Sequence, residues 1–169
     1  MIEIVPAEPY LIPSFYEALK SVASERIYLE MVEPPSLKKV TEFQLGLIEK
    51  KGPLFYALEK KENQESVIGW CDLFPDNNPR LKHRASLGMG IKKQFRGQGI
   101  GQRLIEASLA KAVIFGIEKV ELSVYTSNTT AIRLYRRFGF EDEGVIRKYR
   151  KLDGIYYDCL MMGLFLEKF

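Results

Sequence analysis

The chain has 169 residues, 46% of them hydrophobic and 28% charged, with a formal net charge of +3. A chain of this length and balance can bury roughly two thirds of the surface its unfolded form exposes, which excludes intrinsic disorder and predicts a single domain spanning 1–169. No stretch approaches the roughly 18 consecutive apolar residues of a membrane span, and the opening residues lack the basic start and apolar core of a signal peptide, so a cytoplasmic protein without a membrane partner is expected.

In chain order, Ile2 to Val5 reads as a short strand, and Leu11, Phe15, Ala18, Leu19 and Val22 then recur at helical spacing. The residues from Ser24 to Pro35 are irregular. Ser36 is placed to cap a second helix, whose expected apolar face is Leu37, Val40, Phe43, Leu47 and Ile48, and Gly52-Pro53 stops it. Leu54 to Glu59 and Ser66 to Leu73 are rich in strand-forming residues and flank a polar run, Lys60 to Glu65, which predicts a hairpin. Asp76 to Pro79 is a loop by its turn chemistry. Ala85 to Ile91 reads as a strand, although Gly88 and Gly90 weaken it unless a bulge or a close ligand explains them. Ile100 to Phe115 is helical with Gly116 at its end, Val120 to Val124 alternates as a strand, and Asn128 to Phe138 is a helix closed by Gly139. Val145 to Arg150 and Ile155 to Leu166 complete the chain as strands around the turn Asp153-Gly154.

The chemistry narrows by exclusion. Cys71 and Cys159 both sit in apolar strand-like runs and read as reduced packing residues, and the single histidine, His83, leaves no ligand set for an ordinary zinc site, so no metal is expected. Basic residues cluster at Lys82 to Arg84, Lys92-Lys93, Arg96, Arg103, Arg136-Arg137 and Arg147 to Lys151, a pattern suited to a polyanion or a phosphorylated ligand. The aromatics occupy core-like positions instead of interleaving with these clusters, so no nucleic-acid partner is expected.

The segment from Gln94 to Gly101 follows a strand and opens a helix. Glycines there let the backbone approach a ligand, and the unpaired N–H groups of a first helical turn attract phosphate oxygens. The P-loop spacing GxxxxGK[ST] is absent, and GxGxG here does not fit the dinucleotide GxGxxG pattern. Gln94-x-x-Gly97-x-Gly99 resembles the Q/R-x-x-G-x-G/A signature of the GCN5-related N-acetyltransferase (GNAT) superfamily. A second stretch resembles that family's other motif: Val124 to Asn128, then Ala131-Ile132-Arg133-Leu134-Tyr135 and Gly139-Phe140.

The resemblance implies an α/β (α+β) fold, a mixed and mostly antiparallel sheet with helices on both faces and a splayed strand pair holding acetyl-CoA. A bulge in the first strand of that pair would then explain the awkward glycines. It implies acetyl transfer from acetyl-CoA, the cosubstrate, to a primary amine by direct attack in a ternary complex. Carried over by residue, Met89, Gly90 and Ile91 would pair with the pantetheine amides. Arg96, Gly97, Gln98, Gly99, Ile100 and Gly101 would hold the pyrophosphate, Arg96 adding a charge. Asn128 and Ala131 would flank the pantetheine arm, with a helix N-cap as the alternative role for Asn128. Tyr135 would stand beside the sulfur as general acid, or else be a buried aromatic on the face it shares with Ile132 and Phe138.

An ammonium acceptor must lose a proton first, and Asp72 and Glu30 are the candidate bases, with Glu33, Glu121 and His83 behind them. The acceptor is expected to be a small-molecule amine or a protein N-terminus, and a homodimer is left open. The alternative function is a noncatalytic acyl-CoA-binding sensor or regulatory module.

Overall fold

A computed structural model describes residues 1–62 and 64–166. The elements are β1 (Ile2–Pro6), α1 (Ile12–Ala23), α2 (Leu37–Glu49), β2 (Leu54–Lys61), β3 (Gln64–Pro75), β4 (Arg84–Ile91), α3 (Ile100–Phe115), β5 (Lys119–Tyr125), α4 (Thr129–Arg137), β6 (Glu141–Leu152) and β7 (Ile155–Phe165). Strand order in the sheet is β1-β2-β3-β4-β5-β7-β6. The β1/β2, β2/β3, β5/β7 and β6/β7 pairs are antiparallel, whereas β4 and β5 are parallel. This is the mixed, mostly antiparallel sheet expected. Asn63, in the turn of the expected β2–β3 hairpin, lies outside the described residues. The chain divides into two compact units, one made of Met1–Phe74 and Gly88–Gly116, the other of Pro75–Leu87 and the chain from Ile117 onward.

In the first unit, neighbouring residues of β3 point to opposite faces, as strand geometry requires. The Trp70 ring meets Phe15 of α1 edge-on at 5.4 Å, and Phe15 stacks on Tyr56 of β2 at 5.1 Å. Cys71, the next residue, is paired instead with Ser108 of α3. Helices therefore cover both faces, and Val67 to Leu73 is buried throughout for that reason. Fully burying a side chain such as Phe15 contributes about 1.5–3 kcal/mol, so this double burial is a main source of the unit's stability. Ser36 caps α2 as expected, its hydroxyl accepting from the Lys39 N–H. The face of α2 differs from the expected one. Val40, Gln44 and Leu47 are buried while Leu37 and Phe43 are 42% and 50% exposed, because the helix presents its i, i+4, i+7 row inward.

In the second unit, β4 and β5 pair over only three residues, Arg84–Ser86 against Lys119–Glu121. The β6–β7 hairpin closes at Asp153-Gly154, whose φ angles of 50° and 80° are the two left-handed values a type I′ turn requires. Strand β6 is longer than the expected Val145 to Arg150. Its register with β7 shifts between Asp142 and Gly144 and between Ile146 and Arg150, and these bulges break the alternation from which strands are read.

Candidate active site

Strand β4 ends at Ile91, and the Lys92 N–H donates to Ile68 O at 2.8 Å before one 3-10 turn, Lys93–Phe95, leads into the glycines. Gly97 and Gly99 have φ of 76° and 74°, a left-handed backbone that other residues adopt only under strain. A Cβ on either would meet no atom within 4 Å, so backbone conformation and not crowding demands glycine here. Gly99 is the N-cap of α3 and no side chain caps that end. The first N–H groups of a helix have no intrahelical acceptors, and with the helix dipole they favour an anion. Gly97, Gln98 and Gly99 are exposed, with Ile100 and Gly101 buried behind them. The Arg96 side chain does not share that outlook: its guanidinium is held by the Glu25 carboxylate and by Ile91 O.

Met89, Gly90 and Ile91 lie on β4, partly buried. Side chains of β3 account for the two glycines in this strand. A Cβ on Gly90 would lie within 2.8 Å of three atoms of the Trp70 ring, and one on Gly88 would strike Asp72 Oδ1.

Asp72 is one of three buried polar or charged side chains among the described residues, with Gln44 and Ser108. Tyr56 Oη donates to Gln44 Oε1 at 2.8 Å, leaving the Gln44 amide to donate to Asp72, which also accepts from the backbone of Gly88. Burial is the larger influence and these hydrogen bonds only partly offset it, so the Asp72 carboxyl is pushed up to about 7. Glu30, the other candidate base, is exposed in the irregular segment after α1, as is Glu33. Sequence reasoning missed Gln44 and Glu25. A polar residue at an apolar position of α2 was the available signal for Gln44; Glu25 had none.

In the second unit, Asn128 caps α4, its Oδ1 accepting from the Ala131 N–H at 3.2 Å. The capping role is thus filled, whatever else the amide contacts. Tyr135 is buried and its ring is tilted against Phe140 at 5.7 Å. Glu121 is taken up by ion pairs with Arg84 and Lys119, and the exposed His83 accepts from the Glu118 and Lys119 N–H groups through its backbone oxygen.

The pattern of the acetyltransferase (GNAT) family matches residues 15–140, from within α1 to the end of the Tyr135 motif. The chain belongs to the acetyltransferase (GNAT) family. Among its GNAT relatives, an L-amino acid N-acetyltransferase of Escherichia coli (strain K12) is 28% identical over 98 residues, which is 57% of this chain and 60% of that protein. An N-alpha-acetyltransferase of Sulfurisphaera tokodaii is 38% identical over 64 residues, 37% of this chain and 38% of that one. The fold matches the crystal structure of a GNAT superfamily phosphinothricin acetyltransferase from Sinorhizobium meliloti in complex with acetyl-CoA, with a TM-score of 0.88 at 19% identity over 98% of this chain and 88% of that one. The GNAT fold expected from the two motifs is therefore present.

Proposed function

We propose that the protein transfers an acetyl group from acetyl-CoA to a primary amine. The observation that carries this reading is the exposed, left-handed Gly97-Gln98-Gly99 turn at the uncapped start of α3, within a chain whose family match includes it. The structural neighbour with acetyl-CoA bound supports that molecule as the cosubstrate. In this reading the N–H groups from Gly97 to Gly101 hold the pyrophosphate, the backbone of Met89, Gly90 and Ile91 pairs with the pantetheine amides, and Asn128 and Ala131 flank the arm.

The neutral amine attacks the thioester carbonyl to give a tetrahedral intermediate, the carbon–sulfur bond breaks, the Tyr135 phenol donates a proton to the departing thiolate, and the proton that the attacking nitrogen sheds as the amide forms restores the phenol by way of solvent. Asp72 or Glu30 takes the proton lost from the ammonium, so that the products are an amide and free CoA. An α-ammonium pKa near 8 leaves only about 10% neutral at pH 7, and a side-chain ammonium far less, which is why a base is included. Of the two, Asp72 has its proton affinity near neutrality, where general-base catalysis is most effective. Direct attack is favoured over an acetyl-cysteine route because burial pushes the Cys71 thiol up to about 12, so it forms almost no thiolate. The E. coli and S. tokodaii relatives are named for amino-acid and N-alpha acetylation, which supports an α-amine as the acceptor.

The test is a CoA-thiol release assay with acetyl-CoA and a panel of amino acids, peptides, polyamines and aminoglycosides. Thiol release that depends on an amine is expected. Acetyl-CoA binding without release for any amine would favour the noncatalytic module instead.

A further inference from the structure

The Arg96 side chain leaves the glycine loop and reaches the chain that follows α1. Its Nε donates to Ile91 O at 2.9 Å, and its two terminal nitrogens donate to the two Glu25 oxygens at 2.8 and 2.5 Å. The guanidinium also lies 4.5 Å from the centre of the Tyr28 ring. Arg96 and Glu25 side chains are 29% and 18% exposed, so the pair is largely shielded from solvent. A planar fork closing on both carboxylate oxygens fixes direction as well as distance, which a lysine ammonium cannot do.

What the pair ties together is informative. On one side is the loop whose residues Gly97 to Gly99 are exposed at the uncapped start of α3. On the other is an irregular segment that turns at once after Glu25, through Arg26 at a left-handed φ of 63°. That segment exposes Ile27, Tyr28 and Met31 and carries Glu30. Leu29 packs that segment against the core, and the two-pronged tie at Glu25 fixes the start of the stretch in which Ile27, Tyr28 and Met31 are exposed. Arg96 is also a poor phosphate ligand in this arrangement, because the Glu25 carboxylate already neutralises it.

We propose that Arg96 is a positioning residue that couples the two sides: acetyl-CoA seated on the glycine loop holds Arg96, and Arg96, through Glu25 and Tyr28, orders the segment from Glu25 to Pro35 for the acceptor. This rests on the acetyl-CoA reading above. The coupling is reciprocal, so an acceptor held by that segment tightens the cosubstrate by the same factor.

Hydrogen exchange read by mass spectrometry, with and without free CoA, tests it on the parent protein, Arg96→Lys and Glu25→Gln. CoA is expected to slow exchange in the parent both at the loop and from Glu25 to Pro35. In both variants the slowing stays at the loop, the dissociation constant for CoA changes less than threefold, and the acceptor KM rises about tenfold. Slowing confined to the loop in the parent overturns the coupling, as does slowing that persists in the segment of either variant. A tenfold weaker CoA complex in Arg96→Lys, with Glu25→Gln unaffected, would make Arg96 a phosphate ligand instead. Absence of CoA binding by the parent would remove the acetyl-CoA reading and this inference together, whereas binding without protection of the segment removes the inference alone.

Discussion

The Asp72 carboxylate fills the space in which a side chain on Gly88 would begin, and it accepts a hydrogen bond from the backbone of that same residue. A buried carboxyl pushed up to about 7, against an ordinary value of 3.8, binds a proton in the folded protein that the unfolded chain has released. Its contribution to stability is therefore full below about pH 4 and declines as the pH rises through 7, by at most roughly 4 kcal/mol. Asp72→Asn stays neutral at every pH and keeps an acceptor for the Gly88 N–H. Urea unfolding at pH 5 and pH 8 should show a smaller loss of stability for the variant than for the parent. Equal losses would mean that Asp72 does not titrate in this range.

The same substitution, with Glu30→Gln beside it, separates the two candidate bases. The base should lower turnover and flatten the rate profile between pH 6 and 9 while leaving the KM for acetyl-CoA unchanged. If neither does so, the amine is deprotonated in bulk solvent or by another group.

Gly90→Ala should destabilise the protein by about 1–3 kcal/mol, because the added methyl would overlap the outer edge of the Trp70 ring, which is itself held between β4 and Phe15. Combining it with Trp70→Phe should recover part of the loss relative to Trp70→Phe alone, since the smaller ring vacates that edge. Strictly additive urea midpoints would show that the two sites do not meet.

At Gly99 the φ of 74° makes even alanine costly, by roughly 1–2 kcal/mol, but the open space around it leaves alanine no clash. Gly99→Glu adds a carboxylate where the proposed function seats phosphate, and calorimetric titration should detect no acetyl-CoA binding. Unchanged affinity in a folded Gly99→Glu protein would take the loop out of the site.

Tyr135→Phe keeps the ring packed on Phe140 and removes only the hydroxyl. A general acid contributes about 10²- to 10⁴-fold, so turnover should fall by that factor while the dissociation constant for acetyl-CoA changes less than tenfold. Turnover within threefold of the parent, under conditions where chemistry limits the rate, would leave Tyr135 as a packing residue.

Elements whose signals are local were legible in the sequence. The Ser36 cap, the left-handed turn at Asp153-Gly154 and the Gly97-Gln98-Gly99 entry to α3 are set by the conformational preferences of a few adjacent residues, and each formed where expected. The family could be read for the same reason, because its two motifs are contiguous runs. Long-range contacts decided the rest. The glycines of β4 are required by Trp70 and Asp72 on another strand, and Gln44 is buried because Tyr56 and Asp72 satisfy its amide. The charge on Arg96 is directed to Glu25, 71 residues away, and not outward from the loop. Periodicity records which residues are apolar but not what stands opposite a polar one, and burying a charge or an amide is tolerable only when a partner is brought there by the fold.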